Sequence, residues 1–360
     1  MKKVAVQTFW TSRYNYGQIL QGYALQRFLL QKGYDAYIIR FDSLLSKLKE
    51  LLLTGIKGKL LTYYRQGELR HFEEFKKNKI QYSSIRYNTF SKLQNCPPQA
   101  DFYIVGSDQV WTYMKNIERR KGYLLCFGNR ETKKLAYAAS FGRNSLEENE
   151  IEFYKLALKS FNFIGVREKT GIDICKNLGV QAYWVVDPVV LLLASDWRNL
   201  KVSIVNRTTK PNVFLYFLAN GVQNPAIYKI LDSLSSIYTL YYTNSSDSFD
   251  KRMNITPTIE EWISYVDNCD YVVTDSFHCT LFCIIFNKRF VTIQRYGGDK
   301  MNNRLISLLG RLGLMDRYVE AVPEKIKQLF DVEIKWECIN KELEMWRAES
   351  VSYLLSALNK

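Results

Sequence analysis

The segment Tyr271-Val272-Val273-Thr274-Asp275-Ser276-Phe277-His278-Cys279-Thr280-Leu281-Phe282 constrains this chain more than any other. Its apolar start is a short buried strand. The strand runs into a polar loop and then into a helix. Open α/β sheets bind ligands where a strand end feeds a helix. The N–H groups and positive dipole end of such a helix favour phosphate or carboxylate. The loop also carries His278, one of two histidines in the protein. An imidazole is therefore expected beside an anion site.

The same pattern recurs along the chain. Val4–Thr8 reads as a strand, and Gln18 to Lys32 has helical apolar spacing, closed by Gly33. Strands are expected at Asp35–Ile39, Asp101–Val105, Lys134–Ala139, Phe163–Val166 and Tyr183–Val186, with helices at 147–160 and from Arg167 to about Leu178. A second series follows, with strands at 212–217, 238–242, 271–274 and 289–294. Its helices are expected at 225–236, 258–267 and 303–312, and Thr258 with Glu261 forms a capping box. Strands alternating with helices twice over imply two Rossmann-like, doubly wound α/β domains. The expected division is 1–195, 196–332 and a helical tail at 333–360. At 360 residues the chain is long enough for two cores.

Net charge is +14, which bears on partners rather than fold. No zinc finger, RNA-recognition signature or arginine-rich tail is present, so nucleic acid is not expected. The stretch 43–80 combines Lys47, Lys49, Lys57, Lys59, Arg65, Arg70, Lys76, Lys77 and Lys79 with leucines at 44, 45, 48, 51, 52 and 53. Two readings are open. It lies on an anionic bilayer as a basic amphipathic segment, or it packs on its own domain with a solvated basic face. No apolar run is long enough to span a membrane. The seven cysteines are scattered, with no CxxC and no signal peptide, so a cytoplasmic location is expected. Cys279 and Cys283 read as packing. No GxGxxG, P-loop, HExxH or GxSxG occurs, and neither metal nor cofactor is expected.

Polar clusters follow the strands: Asn15-Tyr16-Gly17-Gln18, Gly106-Ser107-Asp108, Ser140-Phe141-Gly142, Arg167-Glu168 and Asp275-Ser276-Phe277-His278. Ends of parallel strands converge on one crevice, so these clusters are expected to share a cleft. His278 suits proton transfer near neutral pH. Arg167 follows a strand directly and can fork two oxygens of an anion. Lys288, Arg295, Lys300 and Arg304 come after the His278 helix, and the sequence leaves open which of them faces the anion.

In order along the chain, Asn15–Gln26, Val105–Trp111, Tyr137–Gly142, Val166-Arg167-Glu168, Val186-Asp187-Pro188 and Asp270–Phe290 resemble the polysaccharide pyruvyl transferases. The resemblance spans about Val4 to Leu314. It implies a GT-B-like pair of domains facing a cleft, phosphoenolpyruvate as donor and co-substrate, and a sugar in a surface polysaccharide precursor as acceptor. The product would be a cyclic pyruvate ketal. On this reading His278 is the acid/base, oriented by Asp275. Arg167, Ser276, Thr280, Lys288, Arg295 and Arg304 are candidates for the donor. Asn15, Tyr16, Gln18, Ser107 and Asp108 are candidates for the acceptor, which a lipid-linked saccharide at the inner membrane face would suit. The rivals are a nucleotide-sugar glycosyltransferase on the same scaffold and a non-catalytic glycan- or membrane-binding protein.

Overall fold

A computed structural model describes residues 1–42, 68–129, 131–204, 209–246, 250–295 and 299–359. Most of the basic segment expected over 43–80 lies outside these residues, as does the Lys300 side chain. Two parallel sheets organise the chain. The first has seven strands in the order β3-β2-β1-β4-β5-β6-β7. They are β1 (Lys3–Gln7), β2 (Asp35–Phe41), β3 (Tyr82–Tyr87), β4 (Phe102–Asp108), β5 (Lys133–Ala139), β6 (Phe163–Val166) and β7 (Tyr183–Trp184). The second has five, in the order β12-β11-β10-β8-β9. They are β8 (Asn212–Phe217), β9 (Thr239–Asn244), β10 (Tyr271–Thr274), β11 (Arg289–Ile293) and β12 (Tyr318–Val319). Strand order reverses beside β1 in the first sheet and beside β8 in the second, and each reversal opens a crevice at the carboxyl ends.

Central strands are apolar on both faces because helices cover both sides of a parallel sheet. All residues of β4 and β6 are buried. The edge strand β3 was not anticipated. Its sequence, YSSIRY, mixes Ser83, Ser84 and Arg86 with apolar residues, as a half-wet edge does. The capping box at the helix Ile259–Asn268 forms as expected, with Thr258 Oγ1 accepting from Glu261 N at 3.2 Å and Glu261 Oε2 accepting from Thr258 N at 2.8 Å.

The two sheets share one apolar core. Tyr16 stacks on Trp262 at 5.3 Å, and its hydroxyl donates to the Pro257 carbonyl at 2.6 Å. Trp197 packs edge-on against Phe282. Tail helix Trp336–Asn359 returns to the first sheet, where Trp346 Nε1 donates to the Trp184 carbonyl and Ser350 Oγ accepts from Val186 N. In the helix Phe72–Lys79, Phe72 and Phe75 face the core. Two of the basic side chains in this region turn inward. Lys76 is buried, its ammonium on the Trp10 and Ser12 carbonyls, and Arg70 bonds Thr243 Oγ1 and the Asn244 carbonyl. No described helix is long and apolar enough to cross a membrane.

Candidate active site

The carboxyl ends of β4, β6 and β7 meet the start of the helix Phe277–Ile285, which enters from the second sheet. Arg167 is the hub and is fully enclosed, its side chain 1% exposed. One guanidinium nitrogen, Nη1, donates to Asp187 Oδ2 at 2.9 Å and to Ser107 Oγ at 3.3 Å, and lies 3.5 Å from His278 Nε2. The other, Nη2, reaches Asp108 Oδ1 at 3.4 Å. The backbone aims this residue. A register shift in β5, with Ala138 at φ 54°, turns the Ala139 carbonyl to accept from Arg167 N. Asp108 also sits in the left-handed region at φ 68°, a conformation an aspartate tolerates and that recurs at functional sites.

Asp187 is the second hub. Ser107 Oγ donates to its Oδ2 at 2.7 Å, and His278 Nε2 lies 3.5 Å from the same oxygen. Its other oxygen caps the short turn Pro188–Leu191 through Val189 N. Burial alone would raise its pKa, but His278, Arg167 and Ser107 outweigh that and hold it well below the usual carboxylate range. The sequence singled out Asp187 only within the family-like motif Val186-Asp187-Pro188 and not as a site residue. Its position at a strand end, like Ser107 and Arg167, was the available signal.

Asp275 does not orient His278. Its Oδ1 instead accepts from Leu218 N at 2.7 Å, tying the end of β10 to the end of β8. Burial raises its pKa to about 6, while the Leu218 N–H and the Arg295 charge pull it back. Below about pH 4, Asp275 is neutral both folded and unfolded. As pH rises to 6 only the unfolded chain ionises, so folding loses stability over this window and stays lower above it. The shift of about two units corresponds to roughly 3 kcal/mol. Asp275→Asn keeps the acceptor for Leu218 and should raise stability at pH 7 by up to that amount. Thermal unfolding from pH 4 to 7 reads this out, and a variant that tracks the parent at every pH would contradict it.

Ser276 caps the helix and Thr280 lies within it, and neither turns its hydroxyl to the cluster. Ser276 Oγ is the N-cap, accepting from Cys279 N, and Thr280 Oγ1 is shared with Thr292 Oγ1 at 2.8 Å. This cap leaves the N–H groups of Phe277 and His278 without an acceptor among the described residues. Lys288 lies at the amino end of β11, where its ammonium donates to the Asp267 carbonyl at 2.8 Å, so it is on the wrong side of the sheet for the site. Arg295 lines a separate pocket with Tyr14 and Ser246. Asn15 is a helix N-cap through Gln18 N, and Tyr16 is consumed by the contact between the halves, so neither presents its polar group to the cluster.

Arg304, on the helix Asp299–Arg311, is brought in by tertiary structure. It is 8% exposed, and its Nε has no hydrogen-bond partner among the described residues. It lies 5.8 Å from the Phe277 ring centroid, with Arg167 4.6 Å from the same ring. Burial first, and then the charge of Arg167, depress its pKa to about 10. The two guanidiniums repel each other, and the carboxylates of Asp108 and Glu168, which act on both, offset part of that repulsion. Glu168 backs the cluster, with Oε1 accepting from Ser140 Oγ and Phe141 N at 2.9 Å each.

Gly17 completes the site from across the cleft. A methyl group at position 17 would overlap the imidazole at Nδ1. Gly17→Ala should therefore displace His278 and lower turnover on the order of 10²-fold, as small misplacements of reacting groups do. Steady-state kinetics of the variant test this, and unchanged turnover would show that the imidazole position is immaterial.

The family model for polysaccharide pyruvyl transferase matches residues 15–295. The chain belongs to the polysaccharide pyruvyl transferase family. This pyruvyl transferase is thus an enzyme of polysaccharide biosynthesis. Among curated proteins, none matches it. Similar solved structures share its fold across nearly the whole chain. UDP-GlcNAc 2-epimerase from Methanocaldococcus jannaschii, solved with UDP-GlcNAc and UDP, has a TM-score of 0.53 at 10% identity, covering 96% of this chain and 99% of that one. S. aureus MnaA, solved with UDP, has a TM-score of 0.53 at 11% identity, covering 100% and 97%. The fold of the pyruvyl transferase is GT-B-like, two Rossmann-like units with parallel sheets.

Proposed function

We propose that the protein moves the pyruvyl group of phosphoenolpyruvate onto two hydroxyls of one sugar in a surface polysaccharide precursor. A cyclic ketal forms and phosphate leaves. Beyond family membership, the observation that carries this reading is Arg304, a buried guanidinium whose Nε has no hydrogen-bond partner among the described residues, beside Arg167 on the same ring. Phosphoenolpyruvate places a carboxylate and a phosphate on adjacent atoms of a small molecule. Two forked cations and the open N–H groups of a helix start suit that charge pattern.

The chemistry divides among named groups. A proton must reach the methylene carbon, which leaves C2 cationic. One sugar hydroxyl attacks C2, phosphate departs with its bridging oxygen, and the second hydroxyl closes the ring. Of the two hydroxyl protons, one ends on the new methyl group and the other on phosphate. The His278 imidazole is the acid that donates to carbon and the base that recovers a hydroxyl proton. Asp187, 3.5 Å away, holds the imidazole in place. Arg167 and Arg304 stabilise the carboxylate and the departing phosphate. Asp108 contacts the acceptor. Holding two hydroxyls of one ring near C2 contributes through proximity. The acceptor is lipid-linked, at the inner face of the cytoplasmic membrane, which the net positive charge favours.

Isothermal titration with phosphoenolpyruvate, set beside UDP-, GDP- and CMP-sugars, tests the donor. Saturable binding of phosphoenolpyruvate alone is expected. A nucleotide sugar that binds while phosphoenolpyruvate does not would turn the reading toward a glycosyltransferase. A protein that binds neither and makes no ketal would be a non-catalytic member of the family.

A further inference from the structure

Arg311 ends the helix Asp299–Arg311 and sits in a corner made by Trp184 of β7 and Trp346 of the tail helix. Its Cζ lies 4.2 Å from the Trp346 ring centroid and 5.1 Å from that of Trp184. The two rings meet edge-on, 5.1 Å apart at 67°. Both Arg311 distances are within cation–π reach. We propose that Arg311 is a positioning residue for the anion cluster: held between Trp184 and Trp346, it fixes the helix that carries Arg304 against the backbone that carries Arg167. The inference rests on the pyruvyl-transfer reading for the identity of the anion, but not for the contact itself.

Helical spacing connects Arg311 to Arg304. A separation of seven residues is about two turns, so the two side chains leave the helix on nearly one face, about 10 Å apart along its axis. Leu305, Leu308 and Leu309 bury the apolar face of this helix. Hydrophobic contact is non-directional, so it holds the helix without fixing its rotation or axial position. A planar guanidinium stacked in a corner of two rings fixes both. Arg304 lies 5.8 Å from the Phe277 ring, and a shift at Arg311 is carried along the helix to it.

The same corner reaches Arg167. Trp184 Nε1 donates to the Arg167 carbonyl at 3.0 Å, and Trp346 Nε1 donates to the Trp184 carbonyl at 3.1 Å. One turn along the tail helix, Ser350 Oγ accepts from Val186 N at 3.0 Å, beside Asp187. The tail helix thus backs Arg304, Arg167 and Asp187 together. Arg311, Trp346 and Ser350 all lie beyond residue 295, where the family match ends. Arg311 also pairs with Glu342 at 3.1 Å and Glu349 at 3.5 Å. These pairs are part-exposed and contribute little to stability. The directional contact is therefore the one with the rings.

Steady-state kinetics and thermal unfolding of full-chain variants test this. Arg311→Met keeps an apolar stem against the rings and removes the cation. It is expected to raise KM for phosphoenolpyruvate by about tenfold, with kcat within about twofold and the thermal midpoint near that of the parent. Arg311→Lys returns a cation to the rings and should recover most of the affinity. Trp346→Leu should raise KM as Arg311→Met does, and the double variant should be no worse than either single, because both remove one contact. Arg198→Met is the comparison. It breaks an ion pair with Asp267 outside the cluster and should leave KM unchanged. A parental KM in Arg311→Met would overturn the proposal, whatever its thermal midpoint, and so would a loss confined to kcat. An equal rise of KM in Arg198→Met would overturn it too, since that marks a general loosening of the fold. Additive effects in the double variant would overturn the pairing of Arg311 with Trp346. If the parent does not bind phosphoenolpyruvate, the pyruvyl reading falls, while inorganic phosphate titrated by calorimetry into the same variants still reads the contact. A parent that binds neither removes the anion site and this proposal with it.

Discussion

Arg167→Ala is expected to destabilise the fold by about 3–5 kcal/mol and to abolish donor binding. Its guanidinium is enclosed and holds Asp187 and Asp108. Removing it leaves both carboxylates buried, with Ser107, His278 and the Val189 N–H as the remaining partners of Asp187, and breaking one side of a buried ion pair costs about that much. Because instability alone could end activity, Arg167→Lys separates the two effects. Lysine keeps the charge but not the planar fork that spans Nη1 and Nη2. Its thermal midpoint should stay close to that of the parent, while affinity for phosphoenolpyruvate falls by about tenfold or more. A lysine variant with parental affinity and turnover would place the donor elsewhere.

His278→Gln is expected to lower kcat by about 10²–10⁴-fold, the range attributed to a positioned acid–base group, with donor affinity nearly unchanged. Glutamine retains a hydrogen-bonding group toward Asp187 and fits a site already bounded by Gly17. The distinction lies in which parameter moves. If the imidazole acts only as a donor contact, KM rises and kcat persists. If it moves the proton, kcat falls and KM holds. Proton exchange at the methylene carbon of phosphoenolpyruvate in deuterated water gives an independent readout, since it reports the first proton transfer without acceptor turnover. A variant with normal kcat would remove His278 from the chemistry.

The two variants probe sides of the cleft that different parts of the chain supply. Arg167 and Asp187 come from the ends of β6 and β7, and His278 from the helix after β10. Their meeting depends on the shared core between the sheets, with Tyr16, Trp262, Trp197 and Phe282 at its centre. Substitutions there should act on the site through the alignment of the two halves.

Much of this was legible in the residues alone. The period-two and helical spacings mark both βα series, and strand ends that carry Ser107, Asp108, Arg167 and His278 announce a crevice, because both signals are local in sequence. The ordered motifs announce the family for the same reason. What the chain order does not carry is side-chain direction across a junction. Asp275 precedes His278 by three residues yet bonds Leu218, while Asp187, distant in sequence, faces the imidazole. Thr280 sits one turn into the right helix, but its hydroxyl points at Thr292. Lys288 and Arg304 look alike as cations after that helix. One is at the amino end of a strand, and the other is buried beside Phe277, its Nε without a hydrogen-bond partner among the described residues. Local pattern sets which elements form, whereas the packing of one sheet against the other sets which charges meet.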